Sequence, residues 1–314
     1  MSPLLRAILW RRNDGLRGLF LLVLAVCVLY AALFPGILRP SSLGRFAQSW
    51  LPLALTAAAE TVVMLTGGID LSVGAMVGLG SVVAATSMGS ALGAPGGIAA
   101  VLLMGAVVGA AIGWIVAVGR LPAIIVTLAA SFIIGGVALL ILPRPGGMVP
   151  PGLSDLLAGE RPVALLLLAS MPLLWRLFLA TPAGLAMIAV GDNPVGAYRS
   201  GVDVATARIV AYALGGALQA AAGLFLAAQT GSGDPLIGQP YTLNAIAAAV
   251  LGGVGFLGGQ GTLRGALAGS LLLTVLINVM FFLGLPPVAQ YVVQGLIIVG
   301  AVTLPRLRRG AVAT

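Results

Sequence analysis

The stretch Thr66-Gly67-Gly68-Ile69-Asp70-Leu71-Ser72-Val73-Gly74 decides how this chain folds. It interrupts an almost unbroken apolar run between Arg45 and Arg120, whose only charged residues are two acids, Glu60 and Asp70. A carboxylate in a membrane-grade segment is costly and marks a cap, a pathway or a coupling site. Two glycines end one helix here, and Asp70 is placed to cap the next, where its charge suits the positive N-terminal end. The same residues also fit a helix break lining a polar cavity, where freed backbone groups and Asp70 meet a solute or shift between states. Both readings stand, and Glu60, Thr66, Gly67, Gly68, Asp70 and Ser72 are the pathway or gating candidates. Glu60 precedes Asp70 by almost three helical turns, so the two acids need not face each other. Its own alternative is a polar contact to backbone or to a neighbouring helix.

Composition carries this reading outward. Of the 314 residues, 60% are hydrophobic and 8% charged, with mean hydropathy +1.14. A soluble domain carries about a quarter charged residues, so most of this chain meets lipid. All 16 basic residues are arginine; the chain has no lysine and no histidine, and Cys27 is its lone cysteine. Without lysine there is no phosphate-loop ATPase site. Without histidine or a cysteine pair, zinc, haem, thiol-redox and His-dependent nucleophilic sites are excluded. No catalytic or metal-ligating residue is assigned, and no cofactor is expected in this chain. The net charge of +8 comes from arginine clusters at segment ends, a signal of membrane orientation rather than nucleic-acid binding.

A spanning helix needs roughly 20 mainly apolar residues. Stretches of that kind run Leu19–Phe34, Leu51–Thr66, Leu71–Met88, Ile98–Val118, Ala123–Leu142, Val163–Leu179, Ile209–Gln229, Leu243–Phe256, Ala266–Phe282 and Val288–Leu304. The expected fold is therefore an all-α membrane protein, a polytopic bundle of about ten transmembrane helices with both termini cytoplasmic. The first stretch reads as a retained signal-anchor. With the N-terminus inside, twelve arginines fall inside and four, Arg39, Arg45, Arg144 and Arg161, outside, a positive-inside bias. One transmembrane domain covers 1–314, with a cytoplasmic segment at 1–18, a periplasmic loop at 143–162 and a cytoplasmic loop at 181–206. Five prolines in the 143–162 loop are expected to break any helix there. Small-residue repeats, such as Gly105 with Gly109 and Gly265 with Gly269, suit backbone-to-backbone helix packing.

Two further constellations matter. In the loop Thr181–Val204, Asn193 can cap a helix, Pro194 suits its first turn and Gly201 its C-terminal end, leaving one short helix between. It is an ordinary connector or a helix that receives force from a cytoplasmic motor. Its candidate residues are Gly191, Asn193, Pro194, Ala197, Arg199 and Gly201. The stretch Leu243–Gly253, continuing to Gly258-Gly259-Gln260-Gly261-Thr262, repeats the pattern of apolar helix, paired glycines, turn and apolar helix, and adds Asn244 to the pathway candidates. Both glycine turns are expected on the cytoplasmic side, a hint of internal duplication.

At these places the chain resembles the permease subunits of bacterial ABC importers of the ribose/galactose/xylose type. The resemblance rests on Gly67–Gly74, on Ala189–Asn193 with Arg199–Val202, and on Ala245–Ala248 with Leu251–Gly253 and Gly258–Thr262. Asn244 stands where an acid is common, and Val254-Gly255 replaces the usual polar pair. These departures leave the solute open and also suit one half of a heterodimeric permease. The resemblance implies a multi-pass protein of the bacterial inner membrane, embedded in lipid and dimeric with a second copy or a paralogue. It also implies cytoplasmic ATPase subunits that bind ATP and Mg, and a periplasmic sugar-binding protein, with no nucleic-acid partner. The rivals are an ABC permease for branched-chain amino acids or nucleosides, a proton-coupled transporter using Glu60 and Asp70, and a passive channel.

Overall fold

A computed structural model describes residues 14–89, 93–159 and 161–286, with a few positions between 289 and 296. Residues 1–13 of the expected N-terminal segment, and most of the expected last span Val288–Leu304, lie outside the described residues. The helices are α1 (Asp14–Leu33), α2 (Pro40–Leu65), α3 (Val73–Ser87), α4 (Gly93–Val118), α5 (Ala123–Ile141), α6 (Pro151–Ala158), α7 (Val163–Leu179), α8 (Pro182–Asp192), α9 (Pro194–Arg199), α10 (Val204–Thr230), α11 (Tyr241–Leu251) and α12 (Leu263–Phe282). Among the described residues there is no strand, only an isolated bridge between Gly146 and Gly233.

Helix α10 is the axis, packed against α4, α3 and α2. At three glycines its contact with α4 is backbone on backbone. A Cβ on Gly105 or Gly109 would run into the carbonyls of Gly216 and Tyr212, and one on Gly216 into the Gly105 carbonyl. Helices approach this closely only through small residues, so dispersion between backbones replaces side-chain interdigitation. The Gly265–Gly269 repeat serves α12 in the same way, against Gly252 and Ala248 of α11. Helix α1 joins the bundle at α12, where Tyr30 and Phe34 pack on Phe282.

Among the described residues four helices, α4, α5, α10 and α12, are long and apolar enough to cross a membrane, and α6 with α7 would make a fifth span bent by 62°. The sequence suggested about ten. Two of the expected spans fall short for a geometric reason, and a third, Val288–Leu304, lies mostly outside the described residues. The stretch Leu71–Met88 supplies only the 15-residue α3, and Leu243–Phe256 only the 11-residue α11. At 1.5 Å per residue these reach about 22 and 16 Å, short of a hydrocarbon core of about 30 Å. The non-helical segment 231–240 fills in beside α3: a Cβ on Gly78 would run into the Pro235 carbonyl, and the Asp234 amide donates to Ser81 Oγ at 3.1 Å. Irregular backbone of this kind is tolerated at membrane depth only when buried in protein or lining a cavity. The prolines of the 143–162 loop do not abolish helix there, because Pro151 takes the first position of α6, where its missing N–H costs nothing.

Gly109→Ala should lower the melting temperature of the detergent-solubilised protein, by the equivalent of about 1–3 kcal/mol of overpacking. Gly136→Ala, with nothing within 4 Å of the added methyl, should leave it unchanged or slightly raised. Thermal unfolding of the two variants side by side checks this.

Candidate functional site

After Thr66 closes α2, Gly67 adopts a left-handed backbone (φ 82°). Its amide and that of Gly68 donate back to the carbonyls of Met64 (2.9 Å) and Val63 (3.3 Å), a Schellman ending that a residue with a Cβ would strain. The chain then runs into the bundle, so that Asp70 lies beside Gln219 in the middle of α10. Gln219 Nε2 donates to Asp70 Oδ2 at 2.8 Å. The Ser72 amide and hydroxyl donate to Asp70 Oδ1 at 2.8 and 2.6 Å. Asp70 therefore accepts from Ser72, the residue before α3, rather than from an amide of the helix itself, and ties that helix's start to α10 in the interior.

Glu60 meets this group, since its Oε1 accepts the Asp70 amide at 3.2 Å. The break folds back along α2 and brings the Asp70 backbone onto the Glu60 carboxyl, while the two carboxyls share no hydrogen bond with each other. Glu60, Ser72 and Gln219 are fully buried, and Asp70 and Tyr212 nearly so. Three polar atoms in the cluster have no hydrogen-bond partner: Glu60 Oε2, Gln219 Oε1 and Tyr212 Oη. Buried unpartnered groups cost about 1–3 kcal/mol each, so this arrangement holds unspent hydrogen-bonding capacity for a water, a solute group or a second conformation.

The glycine turns come together at one end of the bundle. The Gly259 amide donates to the Leu65 carbonyl at 3.0 Å. A Cβ on Gly191, at the end of α8, would collide with that same carbonyl, and one on Gly258 would lie 2.9 Å from the Gly67 amide nitrogen. Gly191 therefore abuts the break itself. Beyond it, Asn193 Oδ1 accepts the Gly196 amide at 2.9 Å, which caps α9. Asp203 caps α10, and its hydrogen bonds from Thr206 hold its carboxyl below the usual range. Gly201 (φ 83°) closes α9 with the bonding pattern of Gly67.

The sequence model of the branched-chain amino acid transport system permease component family matches residues 42–302. The chain belongs to this family. It is similar to the ribose import permease protein RbsC of Escherichia coli, 33% identical over 290 residues, covering 89% of this chain and 90% of the relative. It is also similar to the autoinducer 2 import system permease protein LsrC of Enterobacter sp., at 36% over 299 residues (92% and 86%). A third relative is the galactose/methyl galactoside import permease protein MglC of Salmonella typhimurium, at 32% over 325 residues (95% of each). No solved structure matches. The resemblance to sugar-importer permeases read from the three motifs is borne out.

Within this permease the predicted residues divide. Glu60, Asp70 and Ser72 form one hydrogen-bonded group, and Thr66, Gly67 and Gly68 form the turn leading into it. Asn244 is buried on α11 but makes no hydrogen bond to that group. Of the 181–206 candidates, Asn193, Pro194, Arg199 and Gly201 are exposed, whereas Gly191 and Ala197 are buried. Ala197 packs with Val190 and Ala207, and the exposed apolar side chains of α9 are Val195 and Tyr198. The loop also holds two helices rather than one, because Thr181 caps α8 through the Gly184 amide at 3.2 Å. Gln219 and Tyr212 were missed. A polar glutamine in an Ala/Gly helix was the one available signal for the first.

Asp70→Ala should strand the Ser72 amide and the Gln219 side chain, destabilising the solubilised permease by about 1–3 kcal/mol for each stranded group. Asp70→Asn should fold almost normally, since Asn accepts from Ser72 and a flipped Gln219 amide can accept from its Nδ2. Melting curves of the two variants separate these outcomes.

Proposed function

We propose that this chain is the membrane-spanning permease subunit of an ABC importer in a bacterial inner membrane, with both termini cytoplasmic and about ten membrane-embedded helical segments, of which α3 and α11 reach only part of the way across. It passes a sugar or sugar-like solute received from a periplasmic binding protein. The family membership and the import permeases for ribose, autoinducer 2 and galactose support the solute class. Cytoplasmic ATPase subunits bind ATP and Mg and supply the energy; a second copy or a paralogue completes the pathway.

The observation that carries this reading is the junction at Gly191. Helix α9 presents Val195 and Tyr198 outward, and the α8–α9 junction at Gly191 rests on the Leu65 carbonyl at the end of α2. A push on α9 is delivered to the Gly67 break, and through it to the Asp70–Gln219 contact. Asp70 and Glu60 then act in gating: shifting the break exchanges Asp70's partners among Ser72, Gln219 and the unpartnered atoms beside them. A charged acceptor is needed for that exchange, so Asp70→Asn should abolish uptake although the protein assembles.

The decisive experiment is reconstitution in liposomes. The chain alone should transport nothing, and uptake should require ATP, the ATPase and the binding protein together. Uptake by the chain alone under a proton gradient would replace this reading with a proton-coupled carrier. The docking face has its own test. Tyr198→Asp and Val195→Asp should weaken ATPase capture about 30-fold, as for loss of an interface hot spot, without lowering the melting temperature. Ala197→Trp should instead unfold the α8–α9 segment, because Ala197 is buried. Unchanged capture by both exposed variants would remove α9 from the coupling path.

A further inference from the structure

A second polar feature lies beside the break. A cavity of about 340 Å³ opens between the end of α2, the α4–α5 turn and the start of α10. Arg120 and Arg208 line it together with Tyr212 and Gly68, and no acidic side chain does. Arg120 enters from the turn, where its backbone is left-handed (φ 53°). The α5 N-terminus forms part of the same wall and has no side-chain cap, so its positive end adds to the two guanidinium charges. The Tyr212 hydroxyl, buried and without a hydrogen-bond partner, sits against the Gly68 wall, where a Cβ on that glycine would come within 2.6 Å of it. Two cations, a helix N-terminus and a spare hydroxyl converge on one cavity. That donor set fits a phosphate group.

The surface leading away from the cavity indicates where the phosphate comes from. Leu121, Ile125, Leu128 and Phe132, spaced along one face of α5 and its preceding turn, are all exposed. We propose that this cavity binds the phosphate group of an anionic phospholipid, with an acyl chain laid along the Leu121–Phe132 stripe. Because Tyr212 Oη and Gly68 belong both to the cavity wall and to the approach to Asp70, an occupied cavity holds the break in place. The permease would then be most stable in a membrane rich in anionic lipid.

Native mass spectrometry of the full-length protein, titrated with phosphatidylglycerol or phosphatidylcholine, tests this. Phosphatidylglycerol should be retained preferentially. Arg120→Gln and Arg208→Gln should each weaken retention about fivefold, and the double variant roughly 25-fold. Arg144→Gln, on an exposed arginine outside the cavity, should change nothing. Lipid-free melting temperatures equal to wild type would confirm that the variants fold. Undiminished retention by a folded double variant, or no preference over phosphatidylcholine, would overturn the proposal. Thermal stabilisation by inorganic phosphate, with no further gain from phosphatidylglycerol, would overturn the lipid source. The readout is lipid retention, so its failure leaves the transport reading untouched.

Discussion

Much of what is central in this protein follows from keeping acidic side chains, Glu60 and Asp70, in the interior of a bundle that lies in lipid. Asp70 is tolerable there because Ser72 and Gln219 give its oxygens three hydrogen bonds and because the start of α3 points its positive end toward it. Those bonds fix where α3 begins, inside the bundle rather than at its edge, and the 15-residue helix falls short of a full span. The segment 231–240 then has to fill the space that α3 leaves. A short helix, a buried loop and a glycine-lined axis are consequences of the same placement.

The glycines divide into two physical roles. On α4 and α10 they bring backbones together, so that the pair moves as one body. At Gly67 and Gly201 they reverse the chain through left-handed backbone, and at Gly191 a missing Cβ makes room for the carbonyl of another helix. The first set makes a rigid frame and the second makes joints. The joints cluster at one end, next to the exposed α9.

Much of this could be read from the residues. The Gly67–Gly74 string, the Asn193 cap and the small-residue repeats announce themselves because each is a local pattern with a local cause. The span count was harder, since hydropathy measures how apolar a segment is and not how far it reaches; α3 and α11 are apolar enough but too short. Gln219 and Tyr212 were hidden for another reason. Gln219's partner is Asp70 and Tyr212's neighbour is Gly68, so both contacts exist only once α10 has docked. Ala197 illustrates the same limit, because an alanine carries no mark saying which side of a six-residue helix is covered.

The Asp70–Gln219 bond joins residues 149 positions apart, which bears on how the protein is made. A ribosome adding about 5–20 residues per second needs roughly 7–30 s to cover that distance. For most of that interval Asp70 is outside the ribosome while Gln219 does not yet exist. Ser72, two residues away, is available at once, and Glu60 reaches the break through a backbone amide rather than through the Asp70 carboxyl. The nascent chain can therefore carry its costly residue through the translocon as a locally satisfied turn, and exchange water for Gln219 only when α10 arrives.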